Sequence, residues 1–319
     1  MMQVVYTCKL NNIKTLCLCA SVFILTGCTK ADVLDPVEEA VLGLVRIYPD
    51  CSSYTLPALE YHFYNIDTRQ EYITRACDGE GNFEGMLPVG TYRVIAANTT
   101  AGNVIFSGMQ SHELATVSAL PLNTRTEQRQ LVANFLTQPD EVYSTVMSEL
   151  TVSRTNTLSY EPSPVLLTRH LRLLFTLQGE LMTEVIALNG VLRGVYPSVY
   201  LYTFSHTQEG INQAPDMAIG FETEERGNKR QAYISLFGLC DPEYGHVYIN
   251  QLPLELTMKN GDKQQTMLDL TDVLSDIISQ NQGVIPVDVT VPIDIKRVGI
   301  GIEGIVTGWI NEGETEIDK

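Results

Sequence analysis

The chain has 319 residues, of which 38 are Asp or Glu and 21 are Lys or Arg, giving a net charge of −17. That balance argues against nucleic acid and against anionic lipid headgroups as partners, because both are bound through Lys and Arg. An apolar fraction of 44% supplies real hydrophobic cores and excludes wholesale disorder, and the length suggests two domains.

From the N-terminus, the first predicted element is one that the mature protein discards. Lys9 and Lys14 precede an apolar run of 11 residues, Thr15 to Leu25, where a membrane-spanning helix needs about 20. A charged start, a short apolar centre and small residues at the exit describe a secretory signal peptide over residues 1–27. Leu25-Thr26-Gly27-Cys28 resembles a bacterial lipobox. That resemblance implies cleavage between Gly27 and Cys28, and a diacylglycerol with an N-acyl chain (palmitate or a similar fatty acid) on Cys28. Each buried methylene is worth about 0.8 kcal/mol, so two or three chains hold a protein stably to a bilayer. The mature chain keeps 19 basic against 38 acidic residues, and residues 28–39 read as a lipidated, acidic tether.

The texture that follows is β. "AVLGLVRIY", residues 40–48, reads as the first strand. "ALEYHFYNI" places Leu59, Tyr61 and Phe63 on one face, with Glu60, His62 and Tyr64 on the other. "DGEGN", residues 78–82, is a turn that needs no cation, since no ligating Glu follows at the calcium-loop spacing. In Leu87-Pro88-Val89-Gly90-Thr91-Tyr92, Pro88 fixes the entry, Gly90 allows a tight turn and Tyr92 begins a buried face. "TYRVIAAN" then alternates Tyr92, Val94 and Ala96 against Arg93 and Ile95. "QPDEVYSTVMSEL", residues 138–150, reads either as a helix or as a loop returning to the sheet. The two prolines of "SYEPSPV", residues 159–165, predict a boundary between a first domain, 40–160, and a second, 165–319.

The second half repeats the pattern. "LRLLFTLQG" opens a strand run, and "LELTMKNGDKQQTML" is a hairpin turning at Asn260-Gly261-Asp262. "LTDVLSDIIS" is a short amphipathic helix capped by Asp269 or Thr271. "VDVTVPIDIK" alternates strictly, and Pro292 predicts a sheet edge or a bulge because it cannot donate to a ladder. The fold class is therefore all-β: two tandem antiparallel β-sandwich domains with a few short helices.

Chemistry is sparse. The chain has no GxSxG, HExxH, GxxxxGK[ST] or helix-opening GxGxxG. His62, His112, His170, His206 and His246 are scattered, as strand and loop residues are. Of seven cysteines, Cys51, Cys77 and Cys240 remain beyond the lipidation site. Cys51 and Cys77 either pair in an oxidising compartment or stay as separate thiols, and their spacing forms no zinc site. The reading is a non-enzymatic protein with no metal, and no cofactor beyond the covalent lipid.

"GNFEGMLPVGTYRVIAANTTAGNVIFSG", residues 81–108, resembles the fimbrial anchor and minor-subunit lipoproteins of the Bacteroidetes, which belong to protease-processed, donor-strand (type V) pili. "LTQPDEVYS", "HLRLLFTLQGELMTEVIALNGVLRGVYPSVYLY" and "LDLTDVLSDII" extend the likeness over most of the mature chain. The resemblance implies transthyretin-like or Ig-like domains, a fimbrial stalk subunit (pilin) as partner, and an outer-membrane, cell-surface location. It also implies assembly by β-augmentation, in which a strand from one subunit fills a groove in the next. A polymerising subunit loses its first strand by cleavage after a basic residue; an anchor keeps it. Arg46 is that basic residue here, expected to be protected inside a folded sheet. "VGIGIEGIVTGWI", residues 298–310, is the candidate donor strand through Ile300, Ile302, Ile305 and Trp309, or else simply the last strand of the second domain. The alternative function is a surface glycan-binding lipoprotein, which needs an aromatic platform. The chain offers one tryptophan and 15 tyrosines for that, with Tyr200 and Tyr202 close together.

Overall fold

Successive side chains of a strand point to opposite faces, and the alternation in this sequence is carried into 22 strands among the described residues. A computed structural model describes residues 41–50, 55–76, 78–122, 134–207, 217–226, 229–240, 250–281 and 286–311; Leu42–Lys319 form one compact unit. The first half contributes β1 (Leu42–Ile47), β2 (Glu60–Asn65), β3 (Glu71–Arg75), β4 (Phe83–Pro88), β5 (Gly90–Ala97), β6 (Val104–Ser107), β7 (Thr116–Ala119), β8 (Asn134–Leu136), β9 (Tyr143–Val152), β10 (Leu158–Tyr160) and β11 (Val165–Leu166). The second half contributes β12 (Arg169–Leu177), β13 (Val185–Arg193), β14 (Ser198–Tyr200), β15 (Met217–Glu222), β16 (Glu224–Arg226), β17 (Lys229–Leu236), β18 (Gln251–Met258), β19 (Lys263–Asp269), β20 (Asp288–Val298), β21 (Gly301–Val306) and β22 (Ile310–Asn311). Two helices accompany them among the described residues, α1 (Leu181–Glu184) and α2 (Thr271–Gln280). Neither is long and apolar enough to cross a membrane.

In the first lobe, a three-stranded sheet ordered β10-β1-β4 faces a five-stranded sheet ordered β11-β9-β5-β2-β3. Val45 and Ile47 from one sheet meet Tyr61, Phe63, Tyr92 and Leu150 from the other in a single core. The chain crosses between the sheets at Val89, the one residue separating β4 from β5. Gly90 is needed there because a Cβ would come within 2.7 Å of Asn65 Nδ2. The Tyr92 hydroxyl, carried on a fully buried ring, donates to the Pro88 carbonyl at 2.7 Å and staples the corner.

The second lobe packs β19-β18-β13-β15-β8 against β16-β17-β12-β20-β21. Its core holds Leu171, Leu173, Phe175, Leu188, Val291 and Ile293, and α2 adds Leu274, Ile277 and Ile278. The hairpin turn forms as expected, with Gly261 at φ 87°. The helix cap differs: Leu270 occupies the N-cap without a side-chain bond, and Asp269 Oδ1 accepts from the Thr271 N–H at 2.9 Å.

Three findings depart from the sequence expectations or sharpen them. Residues 138–150, left open between helix and loop, hold β9, which pairs with β5 from Ser144 to Val152. Its β-branched Thr145, Val146, Thr151 and Val152 suit a pleated surface better than a helix. β20 lies inside its sheet between β12 and β21, so Pro292 is not on an edge strand. The ladder on that flank is interrupted, with β22 ending its pairing at Thr290 and β21 at Ile293, so a missing N–H costs nothing there. Finally, the sandwich is antiparallel with exceptions, because β1–β10, β12–β20 and β15–β8 pair in parallel.

The two halves also interlock. β8 joins the edge of the second lobe's five-stranded sheet, and β14 pairs with β7 in a small sheet ordered β14-β7-β6. Tyr64, Ile95, Ala115, Val117 and Val142 consequently pack into the second core. The segment predicted as a boundary carries β10 and β11, both paired to first-lobe strands.

Candidate functional site

β1 is the middle strand of its sheet. Val45, Arg46 and Ile47 pair with Leu158, Ser159 and Tyr160 on one side, and the whole strand pairs with Phe83–Pro88 on the other. Alternation sends Val45 and Ile47 into the core, fully buried, and Leu44 and Arg46 outward. Arg46 Nη2 donates to Glu84 Oε1 at 3.1 Å across the strand pair. The Arg46–Ile47 peptide therefore sits mid-ladder with a buried residue on its C-terminal side. A protease needs an extended substrate free of such pairing. Gly43 is held tightly as well, since a Cβ there would lie 2.3 Å from the Ser153 carbonyl.

The C-terminal arm is the opposite case. Among the described residues β21 is an edge strand, paired to β20 from Gly301 to Val306 with no strand on its other side. Ile300 occupies the connecting turn beside Gly299 (φ 60°) and is 98% exposed. Ile305 is exposed, while Ile302 and Trp309 are half-buried against the second core. Gly304 lets β21 approach β19: a Cβ there would meet Leu268 Cδ2 at 2.4 Å. Trp309 Nε1 donates to Asp276 Oδ2 at 2.9 Å, latching the arm to α2.

A polar clamp on β2 and β3 was not anticipated from the sequence. His62 is buried and bonds Glu71 Oε1 through Nδ1 at 2.9 Å and Glu60 Oε1 through Nε2 at 3.0 Å. Arg75 closes the set on Glu60 at 2.8 Å. All four side chains come from one hairpin face, so the arrangement stitches an edge strand in place. Its only linear trace is the alternation of Glu60 and His62 before a tight turn and another acid.

The other histidines are dispersed too. His170 meets Asp288 at 3.2 Å on the surface. His206 stacks on Tyr196 with centroids 3.7 Å apart, and burial pushes its pKa down to about 4. His112 lies between the rings of Tyr64 and Tyr202 with neither nitrogen hydrogen-bonded, and burial lowers its pKa. Tyr200 and Tyr202 meet edge to face at 5.6 Å, part of the same inward-packed group. Cys240 is buried, and desolvation pushes its thiol up to about 12, far from a reactive thiolate.

Among the described residues, no three His, Cys, Asp or Glu side chains converge as metal ligands. An open hollow of about 520 Å³ is lined by Leu56, Asn98, Asp140, Glu141 and Tyr143. Asp140 there already accepts from Gly102 N–H at 3.2 Å and Asn103 Nδ2 at 3.4 Å. Cys28, Gly27, Cys51, Cys77 and His246 lie outside the described residues. Among the described residues, the structure presents strand edges, and an edge strand β21 whose connecting turn exposes Ile300 while Trp309 holds its far end to α2.

No family model matches the chain, and no curated protein matches it. Solved structures do. An adhesin candidate from Bacteroides ovatus ATCC 8483 superposes with a TM-score of 0.56 at 15% identity, over 79% of this chain and 90% of that one. A second adhesin candidate from Bacteroides ovatus gives 0.54 at 12% identity, over 86% and 96%. A candidate polysaccharide-binding protein from Bacteroides thetaiotaomicron gives 0.52 at 12%, over 85% and 99%. At such identities the likeness is one of fold. The chain has the all-β sandwich architecture of these Bacteroides proteins, along nearly their whole length.

Proposed function

We propose that this protein is a non-enzymatic fimbrial anchor or minor subunit, a lipoprotein that attaches a fimbrial stalk to the outer membrane at the cell surface. The observation that carries the reading is the seating of β1 between β4 and β10. A subunit that polymerises through a vacated first strand needs that place open. Here it is filled by the chain's own residues, with Val45 and Ile47 fully buried. With Arg46 left uncut, as its mid-ladder place favours, the subunit accepts no strand at this position and ends a fibre. The lipobox resemblance at Cys28 supplies the membrane end, and the edge strand β21 with the exposed Ile300 supplies a segment to donate. The shared fold with proteins described as adhesins supports a role in adhesion.

The test is a pull-down of the full chain extracted from membranes, with mass analysis of its N-terminus. The expected result is a chain beginning at lipidated Cys28 and carrying stalk subunits. A chain beginning at Ile47 would overturn the anchor reading and make it a polymerising subunit. Deleting the residues after Val298 should abolish stalk attachment and leave the first lobe folded. Ile300→Asp, at a side chain with no packing to lose, should weaken attachment without changing the unfolding midpoint.

A further inference from the structure

The end of the first lobe where β1 begins carries an apolar surface that no described residue covers. On the outer face of the three-stranded sheet, Leu42 pairs with Pro88 and Leu44 with Met86; Leu42 is 44% exposed and Met86 55%. Val89 follows Pro88 at the corner, and Ile66 joins through its N–H bond to the Thr91 carbonyl at 2.9 Å. Both are more than two-fifths exposed. The next row inward is the neutralised Arg46–Glu84 pair.

The described rim of this surface carries two arginines and one aspartate, while Asp32, Asp35, Glu38 and Glu39 precede β1 along the chain. The turn after Ile66 holds Asp67 and Arg69, both exposed. Arg154 leaves β9 just beyond Val152, whose partner is Gly90, and beside Ser153, which backs Gly43. Two arginines against one aspartate stand here on a chain with 21 basic and 38 acidic residues. Apolar side chains with Arg69 and Arg154 at their edge suit a bilayer interface, where the apolar groups enter the acyl boundary and the guanidiniums meet phosphate.

We propose that this end of the first lobe rests on the lipid surface in which Cys28 is anchored, an inference that depends on the lipid-anchor reading above. Thirteen residues separate Cys28 from Leu42. A chain spans at most about 3.5 Å per residue, so the anchor keeps Leu42 within about 50 Å of the bilayer. Tethering of that length gives a local concentration on the order of millimolar, at which even a weak apolar contact is populated. The acidic surplus elsewhere would turn other faces away from an anionic leaflet. The lobe thereby gains a fixed orientation, with one end on the membrane.

The full chain is reconstituted in vesicles of phosphatidylethanolamine and phosphatidylglycerol with or without brominated acyl chains, after mass spectrometry of Cys28. Met86→Trp, in a Trp309→Phe background, reports the proposed face; Met267→Trp, 57% exposed on β19, is the control. Val89→Trp replaces Met86→Trp if the latter fails to fold. The expected result is a blue-shifted Met86→Trp emission that brominated chains quench, with Met267→Trp unaffected. Arg69→Glu combined with Arg154→Glu should reduce that quench. A lipidated chain whose Met86→Trp emission ignores bromine overturns the proposal and leaves the anchor reading intact. Emission that shifts only as protein concentration rises assigns the face to a second copy and overturns it too. An unmodified Cys28 overturns both readings.

Discussion

His206 shows how one residue sets a pH response. Its ring is sandwiched by Tyr196, its Nε2 lies 3.5 Å from the Phe237 carbonyl, and Arg169 adds a like charge that disfavours protonation. Folding holds its pKa at about 4 against 6.5 for the free side chain. Between those values the unfolded chain binds a proton that the folded chain refuses, so stability is complete above pH 6.5 and falls as pH drops toward 4. A shift of that size corresponds to at most about 3 kcal/mol. His112, also lowered, acts in the same direction. We expect urea unfolding to give a lower free energy at pH 4.5 than at pH 7, and His206→Phe to remove most of the difference. An unchanged pH dependence in that variant would place the effect elsewhere. The sequence offers His206 only as one more scattered histidine, because the partners that bury it lie 10 residues before it and 31 residues after it.

Among the elements, β1 carries the sharpest prediction. Ile47 is fully buried at the heart of the first core, and truncation of such a side chain costs about 2–5 kcal/mol. Ile47→Ala should therefore lower the unfolding free energy by that amount. It should also raise the rate at which an arginine-specific protease cuts after Arg46, since cutting requires β1 to leave its two neighbours. The native chain should resist under the same conditions. Equal rates for the two proteins would mean that Arg46 is reached without opening the sheet. The first-core faces of β2 and β5 and the inward face of β20 were legible in the sequence, since a period of two is a local property. The opposite faces of β2 and β5 read as solvent-facing, yet His62, Tyr64 and Ile95 are buried, the last two in the second core. β9 was not, because Pro139, Asp140 and Glu141 at the start of its segment imitate a helix N-terminus. Only pairing with β5 selects the strand, an interaction across some 50 residues that no local signal reports.

For the whole molecule, the lobes share more than a linker. β8 and β7 from the first half complete sheets of the second, and Tyr64 and Ile95 from the first-lobe sheet belong to the second core. Heat or denaturant should unfold the chain in a single cooperative transition, with tryptophan emission and far-ultraviolet circular dichroism coinciding. Two separated transitions would show that the lobes fold as independent domains. The all-β class, the hairpin at Asn260-Gly261-Asp262, the helix α2 and the first-core residues of the regular strands could be read along the chain alone. Each depends on side chains within a few positions of one another. Tertiary structure alone decided that Leu171 pairs in parallel with Val289, that Pro292 sits in a gap between two strands, and that β1 is enclosed on both sides. Backbone N–H and C=O groups are the same in every residue but proline. Which strand meets which is therefore fixed by how the whole set of apolar faces can be buried together, a property that no single stretch contains.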